Sequence, residues 1–102
     1  MIKLIEDNLK ELKEICKANN VSELYLFGSA ASGELNSNSD LDFAVVLNKQ
    51  LNPIEHGDSF FGLLFALQDL FQREIDLVSY RVVKNPIFKQ ELDKTKVSLY
   101  AA

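Results

Sequence analysis

Apolar residues recur at Ile2, Ile5, Leu9, Leu12 and Cys16, a spacing that lines one side of a helix and predicts helix from Ile2 to Ala18. Asn19-Asn20 predict its end. The rhythm then changes. Ser22 to Phe27 and Leu41 to Leu47 are short apolar runs bounded by polar or glycine-containing stretches, and they read as two strands. Between them lie Gly28-Ser29, a second glycine at Gly33 and the polar stretch Glu34 to Ser39. Asn48 to Gly57, with Pro53 inside it, reads as a loop, after which Asp58 or Ser59 caps a helix running to about Gln72. A strand at Glu74 to Ser79, a shorter helix from about Pro86 to Lys94 and a strand at Val97 to Tyr100 complete the pattern. Strands interleaved with helices predict an α/β or α+β fold, a small mixed sheet with helices packed against it.

Composition narrows this picture. With 102 residues, 47% of them hydrophobic, the chain can bury one modest core, so a single domain over 1–102 is expected. No apolar run approaches the roughly 20 residues that span a bilayer, and the first residues carry no secretory apolar segment, which predicts a cytoplasmic protein without membrane contact. Cys16 is the only cysteine and falls on the apolar stripe of its helix, so a buried free thiol is expected. A net charge of -4 with scattered lysines offers no basic stripe, which argues against direct nucleic-acid binding. The helix Phe60 to Phe71 is apolar on more than one side, and a domain this small has little room to cover it all round. Two readings follow: a contact with another chain through Phe60, Phe61, Leu64 or Phe65, either a second copy or a different protein, or coverage of the whole helix by the sheet and neighbouring helices.

The candidate chemistry lies at the junction of the first two strands. Asp40 and Asp42 are spaced i and i+2, so they share one face while Leu41, Phe43, Val45 and Leu47 point into an apolar layer. Two carboxylates held so close repel, and a divalent cation removes the conflict. Upstream, Ser29 reads as the N-cap of about one helical turn that Gly33 closes, and Gly28 lets an anion approach the backbone. An anion cradle beside a hard-cation carboxylate pair describes a site for a nucleotide carried by Mg2+. The bland alternative is a strand-entry turn capped by Ser39. His56, in the expected loop and with no second ligand near it in sequence, reads as a solvated histidine, and Glu74 as a surface charge.

Phe27-Gly28-Ser29 followed by Asp40-Leu41-Asp42 resembles the signature of the polymerase-beta-like nucleotidyltransferase superfamily, and the whole chain looks like one of its minimal members. Arg73-Glu74-Ile75-Asp76-Leu77-Val78 is similar to the strand that carries the family's third carboxylate, at Asp76, and Asn85-Pro86 through Tyr100 to its closing helix and strand. Many members have arginine at the position of Ser32, and some at that of Ala30; this chain has neither. The resemblance implies two Mg2+ ions held by Asp40, Asp42 and Asp76, and ATP bound by Gly28, Ser29, Gly33 and Ser39. It also implies transfer of AMP to a hydroxyl, most readily a tyrosine of a HEPN-domain toxin that this chain would serve as antitoxin. Two other readings stand beside it: a non-catalytic binding module that neutralises its partner by contact, and a small-molecule nucleotidyltransferase acting as a homo-oligomer.

Overall fold

The computed structural model describes residues 2–33 and 40–102. The first apolar stripe forms two helices, α1 (Lys3–Glu6) and α2 (Leu9–Ala18), where the sequence predicts one. Asn8 makes the break: its side-chain amide donates to the Leu4 carbonyl at 2.8 Å, a local competitor for the backbone bonds of a continuous helix. The stripe itself survives, with Ile5, Leu12 and Cys16 buried and Ile2 and Leu9 packed against them. Asn20, in the left-handed region at φ 58°, turns the chain into β1 (Val21–Phe27).

After β1 come α3 (Gly28–Ala31), β2 (Leu41–Leu47) and α4 (Pro53–Phe71). The start of α4 corrects the expected loop. Asn52 accepts from the Glu55 backbone at 2.8 Å while the Glu55 carboxylate accepts from the Asn52 backbone at 3.1 Å, and Pro53 supplies a preset first helical residue. This reciprocal cap begins the helix five residues before Asp58, so neither Asp58 nor Ser59 caps it, and His56 stands exposed on its first turn. β3 (Ile75–Ser79), a 3₁₀ turn at Tyr80–Val82, α5 (Pro86–Thr95) and β4 (Val97–Ala101) follow. The Asn85 side chain caps α5 by accepting from the backbone of Ile87 and Phe88.

The sheet has the order β3-β2-β1-β4. β1 runs antiparallel to β2 and β4, and β2 and β3 are parallel across the α4 crossover. Leu41, Phe43, Val45 and Leu47 of β2 enter the main core with Leu24, Leu26, Leu12, Leu63 and Leu67, as their alternation predicts. The opposite face is not bare. Ala44 is fully buried with Phe27 and Leu92 in a smaller cluster beneath α5, and the Tyr80 hydroxyl donates to Asp93 of that helix at 2.6 Å. β2 is thus covered on both sides, which confines its polar atoms to the strand's beginning. The Cys16 thiol is buried as expected, and burial pushes its pKa up to about 12. Among the described residues no helix is long and apolar enough to cross a membrane.

Candidate active site

Register places the expected carboxylates. In the parallel ladder, Leu41 pairs with Ile75 and Asp42 with Asp76, so the two aspartates lie side by side on neighbouring strands, on the face that α5 covers further along. Ile75 and Leu77 turn to the main core, which leaves Asp76 on the Asp42 side. On the other flank of Asp42 stands Phe27, the last residue of β1 and its register partner. Asp40 lies just outside the strand and is exposed.

The electrostatics follow from this crowding. Burial of the half-covered Asp42 carboxyl, then the charges of Asp76 and Asp40, push its pKa up to about 6. A protonated Asp42 can donate to Asp76, which adds to the rise. The expectation that the Asp40–Asp42 pair carries the repulsion is thereby changed: the stronger partner is Asp76, brought alongside by strand pairing. Among the described residues no three carboxylate, histidine or cysteine side chains stand together as a preformed metal cluster. The gathered unit is Asp42 with Asp76, and Asp40 acts on it from the rim.

Gly28 closes the other side. Its φ of 72° is left-handed, and a Cβ built on it would lie 2.5 Å from Oδ2 of Asp42. The glycine lets the β1–α3 turn lie against the carboxylate, a closer approach than any other residue permits. The turn itself differs from the one expected of Ser29. Phe27 occupies the N-cap position without a side-chain bond, Gly28 begins the turn, and Ser29 lies within it. The turn is held from its far end, where the Ser32 hydroxyl donates to the Ser29 carbonyl at 2.9 Å and Gly33, at φ 83°, leads the chain out. Ser32 therefore serves the turn's geometry. Ser39 lies outside the described residues.

Two contacts at the site are absent from the sequence reading. Phe27 flanks Asp42, and the partly exposed Phe88 of α5 meets the Phe27 ring edge-on at 5.8 Å. Phe27 was marked by its place immediately before Gly28. Phe88 had no such mark, because its proximity depends on how α5 crosses the sheet.

A four-stranded mixed sheet that carries paired carboxylates and a glycine turn at one end is the framework of a nucleotidyltransferase. The chain belongs to the polymerase beta nucleotidyltransferase family, whose sequence profile matches residues 10–102. A proposed protein adenylyltransferase of Methanocaldococcus jannaschii is 32% identical over 91 residues, 88% of this chain and 89% of that protein. The protein adenylyltransferase MntA of Shewanella oneidensis is 31% identical over 96 residues, 94% of this chain and 60% of MntA. Among solved structures, a toxin-antitoxin crystal structure with AMP-PNP superposes with a TM-score of 0.71 at 25% identity, covering 93% of this chain and 74% of that one.

Proposed function

We propose that this chain transfers AMP from ATP to a hydroxyl of a partner protein, with a tyrosine of a HEPN-domain toxin as the acceptor and antitoxin action as the outcome. The observation that carries the reading is the Asp42–Asp76 pair with Gly28 pressed against it. Support for a protein acceptor comes from the adenylyltransferase names of the two relatives and from the toxin-antitoxin assembly of the structural neighbour.

A divalent cation fits the pair. Asp42 has a carboxyl that its surroundings keep partly protonated, and such a site gains when a cation replaces the proton. Asp42 and Asp76, with Asp40 at the rim, are the residues that would hold Mg2+. The ion would supply neutralisation of the carboxylates and of the triphosphate charge.

The chain's own groups do the rest. The turn of Gly28 and Ser29, with Gly33 at its exit and Ser39 beyond it, receives the phosphates along its backbone. Asp76 takes the proton of the acceptor hydroxyl. The hydroxyl oxygen then bonds to the α-phosphorus, the bond from that phosphorus to the bridging oxygen of pyrophosphate breaks, and pyrophosphate leaves with the electron pair.

The test is mass spectrometry of a HEPN-domain protein co-expressed with this chain. AMP transfer adds about 329 Da per modified hydroxyl, as expected when a phosphoryl-transfer reaction leaves a nucleoside monophosphate behind. A neutralised partner of unaltered mass would instead make the chain a contact inhibitor.

A further inference from the structure

We propose that the groove between α2 and α4 seats a basic amphipathic helix of the partner protein. This rests on the reading above that the acceptor belongs to a protein. The groove, of about 440 Å³, has Ile15, Ala66 and Leu70 in its floor and Glu11, Glu14 and Asp69 at its edges. Beside it on α4, Phe61 and Phe65 are 54% and 62% exposed, with their rings stacked 6.2 Å apart. The two rings extend the apolar surface of the groove onto the exposed side of α4.

Charge decides the occupant. α4 contains no lysine or arginine in 19 residues, and its carboxylates are Glu55, Asp58 and Asp69. Of these Asp69 lines the groove, and Glu11 and Glu14 line it from α2. A second copy docked with the groove on the twofold axis would bring the same three carboxylates of both chains together. A helix with an apolar stripe flanked by lysine or arginine meets both features, with its stripe on the floor and its cations at the edges.

The groove also points at the chemistry. α4 starts where β2 ends and finishes just before β3 begins, so Asp69 and Leu70 lie toward the end of the sheet that carries Asp42 and Asp76. At the opposite end the two helices close together, because Gly62 has no side chain where Asn19 packs. A helix seated at the open end brings the rest of its protein toward the site.

The experiment uses the full chain, isotopically labelled, and two synthetic helical peptides with one leucine stripe, flanked by lysines in the first and by glutamates in the second. The lysine peptide is expected to shift the amide resonances of Glu11, Ile15, Ala66 and Leu70, more weakly as salt is raised, while the glutamate peptide leaves them in place. Glu14→Lys with Asp69→Lys should weaken that binding about tenfold or more, as loss of complementary charge does at other interfaces. Phe65→Ala, at an exposed position, should weaken it without changing the melting temperature. Equal binding of both peptides, or shifts that map to another surface, overturns the proposal. So do concentration-dependent shifts of the same residues in the chain alone, which would assign the groove to a second copy. Peptide seating together with an unmodified co-expressed partner would fault the transfer reading and leave the groove intact.

Discussion

Gly28 and Asp42 are in contact through an absence: the side chain that Gly28 lacks would occupy the space of the Asp42 carboxylate. Gly28→Ala must therefore displace the carboxylate or the turn, and it must also hold an alanine in the left-handed region, a cost of about 1–2 kcal/mol in itself. The expected outcome is a lower melting temperature together with loss of ATP-dependent stabilisation. Gly33→Ala provides the comparison, since its left-handed φ imposes a similar backbone cost while nothing lies within 4 Å of its Cβ position.

Asp42 gives the protein a pH signature. Its pKa is about 6 when folded against 3.8 as the ordinary value, so the native state holds this proton more tightly than the unfolded chain does. Its contribution to stability is complete below about 3.8, declines as pH rises through about 6 and is gone above it. Melting curves in a chelating buffer should show wild type losing stability relative to Asp42→Asn across that interval, and Asp42→Asn the more stable of the two at neutral pH.

Cations should reverse that order. Binding to the native state alone stabilises it by mass action, about 2.7 kcal/mol at a ligand concentration one hundred times Kd. Mg2+ with ATP is expected to raise the melting temperature of wild type above that of Asp42→Asn, and the gain should shrink below pH 6, where protons compete for the same carboxyl. An unchanged wild-type curve at saturating Mg2+ and ATP would remove the site from consideration.

Asp76 separates binding from chemistry. Asp76→Asn removes the proposed proton acceptor while Asp42 and Asp40 stay in place, so transfer should be lost in a folded protein that still binds nucleotide. The same substitution takes a charge from beside Asp42 and should lower the Asp42 pKa, which carbon-detected NMR titration of that carboxyl can read.

The Asn52 cap predicts an effect on the scaffold alone. Asn52→Ala removes the side-chain oxygen that accepts from the Glu55 backbone, leaves the bond from the residue 52 backbone to the Glu55 carboxylate, and should cost about 1 kcal/mol of stability. Nucleotide-dependent stabilisation should be unchanged, since this cap and the carboxylates lie at opposite ends of β2.

What the sequence determined by itself was set by period and by local chemistry. Alternation in Leu41 to Leu47 fixed which side chains enter the core and which face Asp42 takes, because a strand has only two faces. Gly28-Ser29 and the Asp-x-Asp spacing marked the site for the same reason: adjacent residues cannot escape each other's geometry. The cap at Asn52 was also written locally, as Asn-Pro-x-Glu, although the surrounding loop-like composition of Asn48 to Gly57 pointed elsewhere. Tertiary structure decided the rest. Nothing in the spacing of Asp42 and Asp76, 34 positions apart, says they are neighbours; the parallel pairing of β2 with β3 makes them so, and with it makes Asp76 the main charged neighbour that raises the Asp42 pKa. The cluster of Phe27, Ala44 and Leu92 under α5 and the exposure of Phe61 and Phe65 likewise depended on which surfaces the helices cover. An apolar stripe states that a face can be buried, and only the packed chain states what buries it.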